Sequence, residues 1–238
     1  MTAPSERDDL QVVVLAAGMG TRLGGAAPKP LTPLRGGRTI LAQQLENVRM
    51  AFGPDAQVML VVGFKHELLM EAAPDVAFAY NEVYDRTNTS KSLLKAMKAT
   101  GSRPVLWMNG DVVFHPDVLR RVIPLVEQQT SFVCVNTAQV GDEEVKYTVD
   151  GAGGVAQLSK QVVDGLGEAV GINFVASSGK AALIARLDEA DDTDYFERGI
   201  EVAIAADGLR FVPVDISDLY AVEIDFSEDL VRANEFIE

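Results

Sequence analysis

Four strand-length runs of unbroken apolar character, separated by stretches of helical period, occupy the first half of this chain. Gln11–Ala16 (QVVVLA), Gln57–Val62, Val76–Tyr80 and Pro104–Met108 read as strands. Between them, Thr39–Phe52 places Ile40, Leu41, Leu45, Val48 and Met50 at helical spacing behind Thr39 as an N-cap. Lys65–Ala73 reads as a short helix stopped by Pro74, and Ser90–Thr100 as another helix. Strands with one wet face alternate apolar and polar residues, whereas strands apolar throughout are covered on both faces, as in a parallel sheet. The alternation of β and α therefore predicts a doubly wound α/β layer whose ligands bind beyond the carboxyl ends of its strands.

After about residue 130 the pattern loosens. Ser131–Ala138 and Val145–Val149 read as a hairpin turning at Gly141-Asp142, and the glycines of 151–154 as a second turn followed by a short strand to Leu158. Ala169–Ala176 reads as a strand, and Gly179–Leu187, Tyr195–Ala206 and Asp229–Ile237 as helices. The predicted fold is thus α/β: a doubly wound, mostly parallel Rossmann-like sheet with a small β-rich insertion in the C-terminal half. No linker, internal repeat or low-complexity tract interrupts the 238 residues, so one domain over 1–238 is expected.

Charge narrows the partners. Against 35 acidic side chains stand 21 basic ones, a net charge of −14, which suits neither a nucleic acid nor an anionic membrane surface. The distribution is uneven. Leu10–Leu45 holds no Asp or Glu but does hold Arg22, Lys29, Arg35 and Arg38, whereas Asp188 to the end has 16 acids and three bases. A cationic segment on an acidic protein fits a site for a phosphorylated small molecule. The single cysteine, Cys134, lies in an apolar strand pattern and excludes an internal disulfide framework or a cysteine-rich zinc site. The first ten residues, MTAPSERDDL, lack the character of a signal peptide, and no apolar run nears the about 18 residues needed to span a bilayer. A cytoplasmic protein is expected, with a homo-oligomeric state left open.

The small residues that follow the first strand let backbone N–H groups approach an anion closely. Two glycine motifs fail there. The dinucleotide fingerprint needs a third glycine where Gly18-Met-Gly20-Thr-Arg-Leu23 has leucine, and the second strand ends in Val61-Val62-Gly63-Phe64 without an acid. A phosphate-binding loop of the GxxxxGK[ST] type needs a lysine after Gly24 or Gly25, and none is present. The stretch instead resembles the LAAGxGxR…PKxL signature of nucleotidyltransferases that activate sugar phosphates and phosphoalcohols, matching at Leu15, Ala16, Ala17, Gly18, Gly20, Thr21, Arg22, Pro28, Lys29 and Leu31. In that chemistry a phosphate oxygen attacks the α-phosphorus of a nucleoside triphosphate and pyrophosphate leaves, so positioning and charge neutralisation dominate. The resemblance implies that Leu15–Thr21 hold the nucleotide, that Arg22 steadies the triphosphate, and that Lys29 bridges the α-phosphate and the incoming phosphate.

It also implies Mg2+, held by one or two carboxylates and substrate phosphates. Asp111, in Asn109-Gly110-Asp111 after the fourth strand, matches the family's metal aspartate, and Asp225, in Glu223-Ile-Asp225, takes the second metal position. Glu223 is a lesser candidate on the same side if the segment is a strand. Lys160 resembles a lysine that contacts substrate phosphate, and Glu168 with Gly171 resembles the segment beneath the acceptor. His66 and His115 fall outside these motifs.

Residues 79–93 resemble the YN..Y…N..SL segment of bacterial phosphocholine cytidylyltransferase-like enzymes and of inositol-phosphate and phosphonate cytidylyltransferases, at Tyr80, Asn81, Tyr84, Asn88, Ser92 and Leu93. Where that family often has a second Asn after Asn88, this chain has Thr89. Asn88 and neighbouring hydroxyls such as Ser92 could read the amide-like edge of cytosine. A quaternary ammonium acceptor wants aromatic faces and carboxylates, which Tyr80, Tyr84 and Tyr195 with Asp191, Asp192 and Asp194 could supply. The resemblance therefore implies a Mg2+-dependent cytidylyltransferase acting on CTP and a phosphocholine-like acceptor. Residues from about 10 to 130 would form its nucleotide-binding half, and those from about 131 to 238 its acceptor-binding half. The alternatives are a sugar 1-phosphate nucleotidyltransferase using UTP, dTTP or CTP, and a nucleotide-binding regulatory module without turnover.

Overall fold

A computed structural model describes residues 9–20, 27–138, 141 and 144–237. Its elements run β1 (Gln11–Ala16), α1 (Ile40–Phe52), β2 (Gln57–Val62), α2 (His66–Ala72), β3 (Ala77–Tyr80), α3 (Thr89–Ala99), β4 (Val105–Asn109), β5 (Val112–Phe114), α4 (Asp117–Glu127) and β6 (Phe132–Asn136). The second half holds β7 (Lys146–Val149), β8 (Val155–Ser159), β9 (Gly167–Val175), α5 (Ser177–Glu189), α6 (Phe196–Asp207), β10 (Val212–Asp215), β11 (Ala221–Glu223) and α7 (Ser227–Glu235).

The central sheet is ordered β10-β6-β9-β4-β1-β2-β3. Pairs β1–β2, β1–β4, β2–β3 and β6–β10 are parallel, while β9 runs antiparallel to both β4 and β6. The mostly parallel α/β sheet expected from the apolar runs is therefore present. Its two faces sort alternate residues of β1, as strand geometry requires. Val12, Val14 and Ala16 join a core with Leu41, Leu45 and Val48 of α1 and Val118, Val122 and Val126 of α4. Val13 and Leu15 face the other side, against Leu93, Ala96 and Met97 of α3, Leu183 and Leu187 of α5, and Ile200 of α6. In register, Ala16 lies beside Val62 and Leu15 beside Asn109, so the carboxyl ends of β1, β2 and β4 meet on one edge.

The second half corrects one expectation. Residues 131–138 and 145–149 do not form a hairpin with each other: β6 lies between β9 and β10, and β7 pairs with β8 and the start of β9. The physical reason is burial. Phe132–Val135 is covered throughout, so β6 belongs inside the sheet, while the half-exposed β7 folds back on β8 through the turn at Asp150–Gly154. In that turn the Asp150 carboxylate accepts from the N–H groups of Ala152 and Gly154. Helix α4, with Pro124 in its interior, and the short strands β5, β10 and β11 also escape the periodicity reading. Cys134 is wholly buried as expected, and burial pushes its thiol well above the usual value. No helix of the described residues is long and apolar enough to cross a membrane.

Candidate active site

Beyond the carboxyl ends of β1 and β4 opens a cleft of about 660 Å³, walled on its far side by β9, the start of α6 and the β11–α7 connection. Leu15, Ala16, Gly18 and Gly20 line it. Ala17 does not; its carbonyl accepts from the N–H of Phe64 at 3.1 Å, tying β1 to the end of β2. Thr21 and Arg22 lie outside the described residues. The backbone of the Asn109-Gly110-Asp111 turn presses against β1. Gly110 donates to Leu15 O at 2.9 Å, and a Cβ on Gly110 would sit 2.7 Å from that same oxygen. Gly171 is constrained likewise: its φ is +71°, and a Cβ there would lie 2.7 Å from Asn109 Nδ2.

Lys29 reaches the cleft from a single 3-10 turn, Lys29–Leu31, set by Pro28 and Pro30 on either side of it. Its Nζ donates to Asp111 Oδ2 at 2.9 Å and Asp225 Oδ1 at 2.5 Å. Burial works to lower the Lys29 pKa, but the two carboxylates outweigh it and hold the value above that of an ordinary lysine. Asp225 is held by long-range backbone contacts. Ile224 N donates to Asp111 O at 3.0 Å, and the Asp229 carboxylate accepts from the N–H groups of Asp225 and Phe226. Beneath them, Val222, Ile224, Ala233 and Ile237 pack on Leu34, Ile40 and Val113, which seats the whole β11–α7 segment.

Glu223 joins the pair. Carboxylate oxygens of Asp111, Glu223 and Asp225 lie within 4.8 Å of one another. Burial first, then the charges of Asp111 and Asp225, push the Glu223 pKa well above the usual carboxylate range. Three clustered hard oxygen donors opposite one lysine are the donor set a divalent cation prefers, so these residues fit the metal that the resemblance implied.

The far end of the cleft is acidic too. Glu168 accepts from Gly141 N at 3.1 Å, and Glu144 and Glu197 stand in the same wall. The pKa of Glu144 is raised by burial and by Glu168. Glu197 is 7% exposed, its Oε2 finds no hydrogen-bond partner among the described residues, and burial pushes its pKa to about 7. Lys160 Nζ sits 5.0 Å over the ring of Tyr195 in this acidic setting.

Several expected members are elsewhere. Asn88 lines the cleft, but its amide is engaged: Oδ1 accepts from Thr89 N at 2.8 Å and Nδ2 donates to Thr193 O at 3.2 Å. Ser92 is buried one turn into α3, where its hydroxyl accepts from Asn81 Nδ2 at 3.1 Å, and it does not line the cleft. Tyr80 ends β3, the edge strand, and packs on His66; Tyr84 packs on Phe64. Of the three tyrosines considered for an ammonium cage, Tyr195 alone lines the cleft, and none of Asp191, Asp192 and Asp194 does. Arg38 pairs with Glu46, and Arg35 is engaged through its N–H with Asn234; neither lines the cleft. Of the cationic segment, then, Lys29 lines the cleft, Arg35 and Arg38 do not and Arg22 lies outside the described residues, and the described lining is rich in carboxylates. Glu144 and Glu197 had no sequence signal beyond being acids near a turn and a helix start.

Comparison with known proteins follows the same line. The sequence matches the MobA-like NTP transferase domain over residues 12–193. It is 28% identical over 250 residues to CMP-5'-(3-aminopropyl)phosphonate synthase of Streptomyces rubellomurinus, an alignment covering 94% of this chain and 38% of that protein. The chain therefore spans well under half the length of that relative. Among solved structures, CTP:phosphocholine cytidylyltransferase from Streptococcus pneumoniae superposes with a TM-score of 0.77 at 18% identity, covering 96% of this chain and 99% of the other. The inositol-1-phosphate CTP transferase of T. maritima gives a TM-score of 0.78 at 16% identity, covering 96% and 97%.

Proposed function

Because this chain belongs to the MobA-like NTP transferase domain family, we propose that it is a Mg2+-dependent nucleotidyltransferase that condenses CTP with a phosphocholine-like phosphorylated alcohol, giving a CDP-alcohol and pyrophosphate. The observation that carries this reading is the convergence of Lys29, Asp111, Glu223 and Asp225 at the carboxyl edge of the parallel sheet. A module that only bound nucleotides would not require a half-buried lysine held between two carboxylates. Mg2+ held by Asp111 and Asp225, with Glu223 beside them, would neutralise charge on the triphosphate and the leaving pyrophosphate.

This chain's own groups divide the remaining work. The backbone at Gly18 and Gly20 approaches the triphosphate closely because neither residue carries a side chain. The Lys29 ammonium offsets charge where the acceptor phosphate oxygen attacks the α-phosphorus, as the bond from that phosphorus to the bridging oxygen of pyrophosphate breaks. Lys160 meets the acceptor phosphate. CTP is favoured by the likeness of residues 79–93 to cytidylyltransferases and by the cytidine nucleotides named for the relative and the structural neighbours. A cationic acceptor head group is favoured by the carboxylates of Glu144, Glu168 and Glu197 around Tyr195. Residues of about 10–130 supply the nucleotide site and those after 131 most of the acceptor site.

Pyrophosphate release across a panel of triphosphates and phosphorylated acceptors, with Mg2+, tests the reading. Release with CTP and an ammonium-bearing phosphoalcohol is expected. Release only with UTP or dTTP and a sugar 1-phosphate would move the protein to sugar activation, and no release with any pair would favour a binding module.

A further inference from the structure

Helix α1 carries three buried amide side chains, Gln43, Gln44 and Asn47, and one of them holds the turn that carries Asp111 from both sides. Gln44 is wholly buried. Its Nε2 donates to Asn109 O at 2.8 Å and to Val112 O at 2.8 Å, the carbonyls that flank Gly110-Asp111. Both N–H groups of the amide are therefore spent on the backbone either side of one carboxylate-bearing residue. The same turn is tied at two further points, Gly110 N to Leu15 O and Ile224 N to Asp111 O. Gln44 Oε1 has no partner among the described residues, which makes this a costly way to fill a core position if packing were its only role.

We propose that Gln44 is a positioning residue for the carboxylate cradle: by clasping Asn109 and Val112 it sets where the Asp111 carboxylate stands relative to Asp225. The inference rests on the reading of those carboxylates as a divalent-cation site. A helix-borne amide is suited to the task because α1 is anchored by Leu41, Leu45 and Val48 in the core and so ties the Gly110-Asp111 turn to a fixed element. Asn47, one turn along α1, gives an internal control. It is equally buried and donates through Nδ2 to Phe114 O at 2.9 Å, but that carbonyl lies three residues beyond Asp111.

The test measures Mn2+ binding to the full chain, without nucleotide or acceptor, from the free-ion electron paramagnetic resonance signal, alongside thermal denaturation. Gln44→Leu, with Gln44→Met as a second variant that fills the volume without a donor, is expected to weaken Mn2+ binding by roughly tenfold or more. Asn47→Leu is expected to lower the melting temperature to a similar degree and leave Mn2+ affinity unchanged. Wild-type affinity in the folded Gln44 variants would overturn the proposal, as would an equal loss in Asn47→Leu, since both would mean that the clasp serves stability alone. A wild-type chain that binds no Mn2+ would instead overturn the cradle reading, and the inference with it.

Discussion

The ammonium of Lys29 lies 2.5 Å from a carboxylate oxygen of Asp225, a residue 196 positions later in the chain, and 2.9 Å from Asp111. Nothing local brings these three together; the turn Lys29–Leu31, the link between β4 and β5 and the segment after β11 do. Lys29→Ala should lower turnover by about 10²–10³-fold while circular dichroism remains that of the folded protein. Near-normal turnover in a folded variant would remove Lys29 from the reaction.

Metal dependence is expected to follow the carboxylates. Chelation with EDTA should abolish activity and excess Mg2+ restore it. Asp111→Asn and Asp225→Asn should each require far more Mg2+ for half-maximal rate, because each removes one charged ligand. An unchanged Mg2+ activation curve in both variants would show that the ion binds elsewhere.

Lys160 lines the cleft over Tyr195, and the proposed reading gives it the acceptor phosphate. Lys160→Met should therefore raise KM for the phosphorylated acceptor by roughly tenfold and leave KM for the triphosphate nearly unchanged, the pattern of a lost charge-assisted hydrogen bond. Steady-state kinetics with each substrate varied in turn distinguishes this from a general loss of activity.

Glu197 makes stability depend on pH. Its pKa rises from the ordinary 4.5 to about 7 through burial, so the folded protein binds the extra proton between those values. Unfolding then releases protons, and stability falls as pH rises from 4.5 to 7; the cost is absent below the lower value and fully present above the upper one. The full cost is on the order of 3 kcal/mol, from a shift of about 2.5 units at 1.36 kcal/mol each. Denaturant midpoints measured from pH 5 to pH 8 should decline in the wild type and decline less in Glu197→Gln. Parallel profiles would mean that Glu197 is not the group responsible.

Gly171→Ala should destabilise the fold by about 1–3 kcal/mol, since an L-residue at φ +71° is strained and its Cβ would push on Asn109. A chemical denaturation curve reads this directly, and a stability equal to wild type would mean that the strand relaxes around the added methyl group.

How far the sequence could be read depended on how local each cause was. The run Gln11–Ala16 and the glycines after it announce a buried parallel strand and a close backbone approach within ten residues; the strand is present, and Gly18 and Gly20 line the cleft beyond it. Asn109-Gly110-Asp111 was legible for the same reason. The assignment of β6 was not, because apolar character says that a strand is buried but not which partner buries it. Residues 80–93 show another limit of local reading. They are close in sequence, yet Tyr80 ends an edge strand, Asn88 lines the cleft and Ser92 is buried within α3, so a shared motif does not become a shared wall.

Residue chemistry and periodicity determined the α/β architecture and the glycine loop, because both are written in side-chain type and short-range spacing, and the resemblance to nucleotidyltransferases singled out Lys29, Asp111 and Asp225. The tertiary structure alone decided the rest. It brought Glu223 to Asp111 and Asp225 and set Glu144 and Glu197 with Glu168 in the lining of one cleft. It withheld Tyr80 and Tyr84 from the cleft and set Gln44 beneath Asp111. Those outcomes depend on which buried faces pack together across long stretches of chain, and packing of that kind leaves no signature in the spacing of neighbouring residues.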